Sequence, residues 1–244
     1  MIDAARHDPA DAGAPAEGAP TPHIRSYVRR EGRITGAQEE ALERLWPRYG
    51  IESGGALLDP AAIFGRRAPL VVEIGFGSGD HLLSSAQARP DTDFLGMEVH
   101  RPGVGRVLQQ ADKLGLTNLR VLCADAVEIL RERLPDGGLD EVVIFFPDPW
   151  PKTRHQKRRL IQPAFVAVLA RALRPGGRLR LATDWADYAR HMLEVMSASP
   201  QFANASAAGG VMPRPADRPL TRFESRGLRL GHEVADFEFV RIKP

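Results

Sequence analysis

The stretch Leu70-Val-Val-Glu-Ile-Gly-Phe-Gly-Ser-Gly79 decides the fold, because an apolar run rich in β-branched residues passes directly into a glycine-rich turn. The apolar run, at residues 70–75, is typical of a strand that is buried on both faces. An amphipathic pattern at residues 79–89 follows the turn and predicts a helix. A buried strand, a glycine turn and a helix in this order predict the opening unit of an α/β sheet.

The same alternation continues toward the C-terminus. Further strands are predicted at 93–98, 119–124, 139–146 and 178–183, and helices at 102–115, 126–134, 162–173 and 185–198. Two more strands, at 201–206 and 236–242, flank a Gly- and Pro-rich excursion at 209–219. The pattern predicts an α/β, Rossmann-like fold with a mostly parallel seven-stranded sheet and helices on both faces.

The N-terminal region has a different composition. Residues 1–22 are dominated by Ala, Pro, Gly and Asp, and we expect a disordered tail, followed by one domain over residues 23–244. Arg25, Arg29, Arg30 and Arg33 form a basic segment that faces either a polyanion or only solvent. A short helix follows, predicted by the capping-box spacing of Thr35 and Gln38 and expected to stop at Pro47.

Composition excludes several classes of protein. The chain has 244 residues, of which 43% are hydrophobic and 26% charged, so it is long enough for one sizeable core. It has no run of about 18 apolar residues that would span a membrane, and residues 1–10 show no secretory signal. The single cysteine, Cys123, excludes an internal disulfide and fits a reducing cytoplasm. We expect a cytoplasmic protein without a metal.

The glycine loop itself favours one kind of cofactor. Gly75, Gly77 and Gly79 are spaced Gly-x-Gly-x-Gly, whereas a dinucleotide-binding loop has Gly-x-Gly-x-x-Gly. The glycines alone are equally explained by a tight strand-to-helix turn. Glu73, however, stands just before the loop, where a carboxylate would repel a phosphate and attract the ammonium and sulfonium of S-adenosylmethionine. Charge therefore favours a cationic cofactor.

Two further acids end the next two predicted strands. Glu98, about 20 residues past the loop, is placed to accept ribose hydroxyls, a role that suits NAD equally well. Asp125 is placed either to hydrogen-bond an adenine edge or to cap the helix that follows it. Three acids at the carboxyl ends of three successive strands favour a cofactor site over capping alone.

The strand at 139–146 leads into Pro147-Asp-Pro-Trp-Pro151. Prolines on both sides of Asp148 restrict the backbone and hold one carboxylate at the carboxyl edge of the sheet, although a purely structural turn is the alternative. Next comes Lys152-Thr-Arg-His-Gln-Lys-Arg-Arg159, with five cations in eight residues. Such a run usually means only a solvated surface, but its position behind Asp148 favours a polyanion that lies across the site.

Together these motifs resemble the bacterial tRNA (guanine-N7-)-methyltransferase family, within the class I S-adenosylmethionine-dependent methyltransferases. The resemblance runs from about Arg25 to the C-terminus. Its motifs are the glycine loop, Arg25-Ser-Tyr-Val-Arg-Arg30, Gly96-Met-Glu-Val-His100, Phe146-Pro-Asp-Pro-Trp-Pro-Lys152, Arg154-His-Gln-Lys-Arg-Arg159, Thr183-Asp-Trp185 and Thr221-Arg-Phe-Glu224. Pro151 stands where many members have histidine, and Arg222 where lysine is common, which bears on substrate detail and not on the reaction.

The resemblance implies a role for each group of residues. Asp148 would be catalytic, and the cofactor would contact Glu73, Glu98, Asp125, Asp148, Gly75, Gly77 and Gly79. The substrate would contact Lys152, Asp184, Thr221, Arg222, Phe223 and Glu224. RNA would contact Arg154, His155, Gln156, Lys157, Arg158 and Arg159. The reaction would be methyl transfer from S-adenosylmethionine to N7 of guanosine 46 in the variable loop of tRNA. From the residues alone, Asp184 as a helix cap and Glu224 as a solvated loop charge stay open.

The expected chemistry needs no base, because guanine N7 already exposes an in-plane lone pair. Asp148 is expected to orient the guanine and to stabilise the positive charge that develops on it. Trp150 or Phe223 is expected to stack on an unstacked base, with core packing as the alternative for Trp150.

Three other functions remain as rivals at this stage. A methyltransferase for another substrate would have no need of the basic run. A noncatalytic RNA-binding module would have no need of the cofactor acids. An NAD oxidoreductase is disfavoured by the loop spacing and by Glu73.

Overall fold

The computed structural model describes residues 25–27, 32–221, 224–225, 231 and 233–242. The predicted disordered tail at 1–22 therefore lies outside the described residues. The same holds for four of the residues named above, which are Arg29, Arg30, Arg222 and Phe223.

The sheet follows the predicted alternation of strands and helices. Its strands are β1 (Gly50–Ile51), β2 (Leu70–Ile74), β3 (Asp93–Met97), β4 (Leu119–Leu122), β5 (Leu139–Phe145), β6 (Leu173–Thr183), β7 (Phe202–Asn204) and β8 (Ala235–Arg241). Their order is β1-β4-β3-β2-β5-β6-β8-β7. Strands β1 to β6 are parallel, and β8 and β7 add an antiparallel edge. The α/β, mostly parallel sheet is confirmed.

The predicted number of seven strands is wrong, because the described chain has eight. The additional strand, β1, has only two residues, and it pairs Gly50 with Val121 and Ile51 with Leu122 of β4. Two residues carry no alternation that a sequence pattern can detect. The pairing depends instead on the helix before β1, which brings these residues to the edge of the sheet.

Helices cover both faces of the sheet. They are α1 (Gly36–Tyr49), α2 (Pro60–Phe64), α3 (Asp80–Ala88), α4 (Arg101–Lys113), α5 (Ala126–Glu132), α6 (Pro163–Ala172) and α7 (Ala186–Ser197). Helices α1, α3 and α4 contribute to one buried apolar cluster, and α5, α6 and α7 to the other. Along β2, Leu70, Val72 and Ile74 belong to the second cluster and Val71 to the first, because alternate side chains of a strand point to opposite faces.

Helix α1 begins as predicted and ends later than predicted. Thr35 and Gln38 form the capping box, with each side chain bonded to the other residue's backbone. The helix then continues through Pro47 to Tyr49, so the stop predicted at Pro47 is wrong. A proline removes one backbone donor, and burial of Tyr49 in the core stabilises the last turn despite that loss. In the described part of the chain, no helix combines the length and the apolar character needed to cross a membrane.

Candidate active site

The carboxyl ends of β2, β3 and β4 meet at the glycine loop. Gly75, Gly77 and Gly79 have φ values of 72°, 54° and 77°, a left-handed conformation that favours glycine. A Cβ at Gly75 or Gly77 would meet no atom of the described chain within 4 Å, whereas one at Gly79 would lie 2.1 Å from Val107 Cγ2. Gly79 therefore allows close packing of α3 on α4, and the other two leave open space beside the loop.

Glu98 ties this loop to the end of β3. One carboxylate oxygen accepts a hydrogen bond from Gly77 N at 2.9 Å. The other accepts from Val99 N at 2.7 Å and from His100 N at 2.9 Å. The side chain is buried, and no lysine or arginine of the described residues lies within ion-pair distance of it. Among the described residues, the negative charge of Glu98 is stabilised by backbone N–H dipoles.

Asp125 takes one of the two roles that the sequence pattern leaves open, the cap of helix α5. Its Oδ1 accepts from Val127 N at 2.9 Å, which caps α5 and confirms the capping interpretation. Its Oδ2 is also buried, yet it has no hydrogen-bond partner among the described residues. A buried carboxylate oxygen without a partner is costly, so this atom is poised to accept a bond from a ligand.

A cleft of about 780 Å³ opens at this edge of the sheet. Four of the predicted site residues line it, namely Gly75, Glu98, Asp125 and Asp148. Its other walls include apolar side chains such as Met97, Val127 and Ile144. A cleft with mostly apolar walls and a few carboxylates is typical of a site for a small molecule of nucleoside size.

Glu73 does not belong to the lining of this cleft. Its side chain is buried beside α3, where Oε2 lies 2.7 Å from His81 Nδ1. The other ring nitrogen of His81 lies 3.2 Å from Ser85 Oγ, and the ring packs edge-on against Phe145. The predicted site acid is thus held in a buried pair behind the glycine loop.

Asp148 is exposed and lies on a tightly constrained loop whose neighbouring residues are half-buried. Phe146 and Trp150, on either side of it, have φ values of 54° and 45°, which are strained for residues with a Cβ. Trp150 is fixed further, because its indole N–H donates to Ser26 O at 2.9 Å and the guanidinium of Arg158 lies 4.0 Å from its ring centre. The loop therefore presents the carboxylate of Asp148 at the cleft in a restricted position.

The basic run divides into two groups in the structure. Arg159 is buried, donates to Pro149 O at 2.9 Å and forms an ion pair with Asp187. Arg158 donates to Arg25 O and Tyr27 O, and Gln156 donates to Asp187. The exposed cations are Lys152, Arg154 and Lys157.

His155 lies among these cations, on the 3-10 turn Thr153–Arg158. Partial desolvation lowers the pKa of His155 below its ordinary value, and repulsion from Arg154, Lys152, Arg158 and Lys157 lowers it further. His155 is therefore neutral near pH 7. The positive charge of this surface comes from lysine and arginine.

The predicted substrate residues beyond the basic run have different environments. Asp184 follows β6, but the N-cap of α7 is Trp185 without a side-chain hydrogen bond, so Asp184 as the helix cap is wrong. Thr221 Oγ1 accepts from Glu224 N at 3.1 Å. Glu224 is 1% exposed, so its interpretation as a solvated loop charge is also wrong.

Glu224 belongs to a buried ionic network centred on Arg218. The guanidinium of Arg218 donates to both oxygens of Glu224, at 2.7 and 2.8 Å, and to Asp236 Oδ2 at 2.9 Å. The Cζ atom of Arg218 lies 5.6 Å from the ring centre of Phe145 and 5.5 Å from that of Phe146. Burial raises the pKa of Asp236, and Arg218 opposes that shift. The network joins the segment at Thr221 to the end of β5.

Sequence reasoning missed three features of this region. Ser26 and Tyr27 line the cleft through an N-terminal segment that was predicted only as a basic patch. His81 and Arg218 form buried pairs with predicted site acids. Their signals in the sequence are weak, because a lone histidine on a helix or an arginine in a loop usually faces solvent.

Comparisons with known proteins agree with this geometry. Residues 67–237 match a family model described as "Putative methyltransferase". The tRNA (guanine-N(7)-)-methyltransferase of Aeromonas hydrophila is 55% identical over 219 residues, which are 90% of this chain and 92% of the relative. The protein of the same name from Alcanivorax borkumensis is 50% identical and covers 98% of both chains.

Solved structures show the same fold at low identity. The 16S rRNA methyltransferase KamB is 17% identical with a TM-score of 0.53, over 88% of this chain and 97% of its own. A 16S rRNA (adenine(1408)-N(1))-methyltransferase from Catenulisporales acidiphilia, a W203A variant with cosubstrate SAM, is 17% identical with a TM-score of 0.51, over 77% and 93%.

Proposed function

The chain belongs to the tRNA (guanine-N(7)-)-methyltransferase family, and on this premise we propose that it transfers a methyl group from S-adenosylmethionine to N7 of guanosine 46 in tRNA. The observation that carries the proposal is the cleft in which Glu98, Asp125 and Asp148 meet. Glu98 and Asp125 have no cationic partner among the described residues, so a cationic ligand complements them.

The residues of the cleft fit S-adenosylmethionine. The unpartnered Oδ2 of Asp125 accepts the amino group of an adenine, and Glu98 accepts ribose hydroxyls. The open space beside Gly75 and Gly77 admits the rest of the ligand close to the backbone. Glu73, paired with His81, holds α3 behind the glycine loop and supports the cofactor site without direct contact to the cofactor. When bound, S-adenosylmethionine supplies an electrophilic methyl group on a positively charged sulfur.

Asp148 acts on the guanine in this proposal. Its carboxylate accepts the exocyclic N–H donors of the base, which aims N7 into the cleft, and it stabilises the positive charge that methylation places on the ring. No proton has to be removed before N7 reacts, because the lone pair of N7 is already exposed. The strained backbone at Phe146 and Trp150 holds Asp148 in place for this task.

The substrate side binds the RNA through phosphates. Lys152, Arg154 and Lys157 are exposed and contact the backbone, which positions the RNA without reading its sequence. Asp184 and Thr221 contact the nucleotide. The backbone N–H of Glu224 donates to Thr221 Oγ1, and Arg218 holds the Glu224 carboxylate in the core. Arg222 and Phe223, between them in sequence, complete the proposed substrate segment.

The test is methylation of unmodified tRNA transcripts with S-adenosylmethionine labelled on its methyl group. N7-methylguanosine is located by borohydride reduction and aniline cleavage, which break the chain at this nucleotide. We expect one label per tRNA, cleavage at position 46, and neither in a transcript with adenosine at that position. Equal labelling of the two transcripts, or label on another atom, would refute the proposed site of methylation.

A further inference from the structure

The three tryptophans of the chain lie in different environments. The indole N–H of Trp46 donates to Glu52 at 2.6 Å, and that of Trp150 donates to Ser26 O at 2.9 Å. Trp185 is 38% exposed, and its indole N–H has no partner in the part of the chain that the structure describes. Tryptophan is large and apolar and usually satisfies its N–H inside the protein, so Trp185 presents a ring and an N–H that are available to a ligand.

Trp185 lies at the same edge of the sheet as Asp148. It follows the carboxyl end of β6, the parallel neighbour of β5, and Phe146 N donates to Ala182 O at 2.8 Å across these strands. Arg159 bridges the two loops, because it donates to Pro149 O and pairs with Asp187 in the first turn of α7. The Asp148 loop and the residue before α7 are therefore held together.

The backbone of Trp185 is fixed, although its side chain is exposed. Its N–H donates to Thr183 Oγ1 at 3.2 Å, and its carbonyl accepts from Ala189 N at 2.9 Å in the first turn of α7. A fixed backbone presents the indole at low entropic cost, which distinguishes this ring from a side chain on a loose loop.

The charges around Trp185 indicate the kind of ligand. The 3-10 turn that carries the exposed Lys152, Arg154 and Lys157 is anchored to α7 by Gln156 and Arg159, which both bond Asp187. A polyanion that binds these cations would therefore run beside the start of α7, where Trp185 is the N-cap. Trp150, the other candidate, already has Arg158 over one face of its ring and His155 against it edge-on.

We propose that Trp185 stacks on the target guanine and stabilises the positive charge that the ring gains on methylation. This inference rests on the proposed function and deepens it. Stacking of a base on an aromatic side chain is sequence-tolerant and favourable. The electron-rich face of an indole also attracts a cation, so its contact strengthens as N7-methylguanine forms. Trp185 thus contributes to the rate as well as to binding.

The test compares Trp185→Phe, which keeps a flat aromatic face, with Trp185→Leu, which keeps an apolar side chain without one. We expect Trp185→Leu to lower the single-turnover methylation rate about 10- to 100-fold, and Trp185→Phe to lower it less than about 5-fold. Affinity for S-adenosylmethionine and the melting temperature should stay unchanged in both. The matched control is Leu114→Ala. Leu114 is an exposed apolar residue that directly follows the C-terminal end of α4, whereas the N-terminal end of α4 lies at the cleft.

A second readout follows the tryptophan fluorescence during titration with 7-methylguanosine 5′-monophosphate and, separately, with GMP. We expect stronger quenching by the methylated nucleotide in the wild type and loss of this difference in Trp185→Phe, in which Trp46 and Trp150 remain. Equal rates for the Leu and Phe variants, or a loss of cofactor affinity in either, would overturn the inference. A wild-type protein that does not methylate guanine would instead overturn the proposed function.

Discussion

Two acids on one half of the carboxyl edge of the sheet and four acids on the other half have opposite environments. At β2, β3 and β4, Glu98 and Asp125 accept bonds only from backbone N–H groups among the described residues. At β5, β6 and β8, Glu224 and Asp236 pair with Arg218, Asp217 pairs with Arg180, and Asp187 pairs with Arg159.

In the proposed function, this difference lets one edge of the sheet bind two ligands of opposite charge. The first half, the cleft side, has two carboxylates without a cationic partner among the described residues, as the proposed cationic methyl donor requires. The second half, the RNA side, pairs Glu224, Asp236, Asp217 and Asp187 with arginines and exposes Lys152, Arg154 and Lys157, as the proposed polyanion requires.

The Arg218 network should have the largest effect on stability. Arg218→Gln leaves Glu224 and Asp236 as buried carboxylates without their partner, so we expect a loss of about 3–5 kcal/mol in the free energy of unfolding. Urea unfolding followed by circular dichroism measures this loss. The control is Arg44→Gln, because Arg44 is exposed and lies 3.7 Å from Asp112, a pair worth at most about 1 kcal/mol. Equal losses of unfolding free energy in the two variants would mean that Arg218 does not stabilise the buried carboxylates of Glu224 and Asp236.

Asp148 should dominate catalysis. Asp148→Asn keeps the shape of the side chain but removes the charge that stabilises the cationic guanine, so we expect kcat to fall about 10²- to 10³-fold. The dissociation constant for tRNA should change less than about 2-fold, because the phosphate contacts remain. Steady-state methylation and filter binding measure the two quantities. Near-normal turnover by this variant would remove Asp148 from the mechanism.

Asp125 should matter for the cofactor and not for the fold. Asp125→Asn keeps the cap on α5, because asparagine caps a helix as well as aspartate does. The second oxygen, which is proposed to accept from the adenine, is replaced by an NH₂ group that cannot accept. We expect affinity for S-adenosylmethionine to fall about 10- to 100-fold, measured by calorimetry. Asp59→Asn is the matched control, since Asp59 is itself exposed and caps helix α2 in the same way. A similar affinity in both variants would contradict a ligand contact at Asp125 Oδ2.

The basic run should show the smallest effects, and they should differ by position. Lys157→Ala should weaken tRNA binding a few-fold and reduce the slope of log affinity against log salt by about 1, with no change in melting temperature. Arg159→Gln should lower the melting temperature instead, because it removes the buried contacts to Pro149 and Asp187. Identical changes in tRNA affinity and in melting temperature in the two variants would mean that the exposed and the buried cations of the basic run do not have different roles.

Local patterns in the sequence account for much of this molecule. The strands, the glycine loop and the positions of Glu98, Asp125 and Asp148 depend on neighbouring residues, and these predictions agree with the structure. The partners of the other acids depend on distant contacts. Arg158 and Arg159 look like Lys157 in the sequence. Arg158 is held by the carbonyls of Arg25 and Tyr27, and Arg159 by the carbonyl of Pro149 and the carboxylate of Asp187.

Glu73 and Glu224 show the same limit. In sequence, both acids lie in motifs that suggest ligand contact. His81, eight residues after Glu73, and Arg218, six residues before Glu224, bury them in pairs. No periodic pattern in the sequence distinguishes a carboxylate that lines a cleft from one that is buried in a pair with a histidine or an arginine. The distinction depends on which residues of the folded chain pack against the loop that carries the acid.

The division of the sheet edge into a cleft side and an RNA side is tested most directly by measuring the affinities for S-adenosylmethionine and for tRNA in two variants, each of which removes the charges of one side. One variant is Glu98→Gln with Asp125→Asn, and the other is Lys152→Ala, Arg154→Ala and Lys157→Ala together. We expect the acidic variant to lose at least about 30-fold in affinity for S-adenosylmethionine and little for tRNA, and the basic variant to do the reverse. If either variant weakened both ligands equally, or if the acidic variant bound S-adenosylmethionine normally, the account would be contradicted.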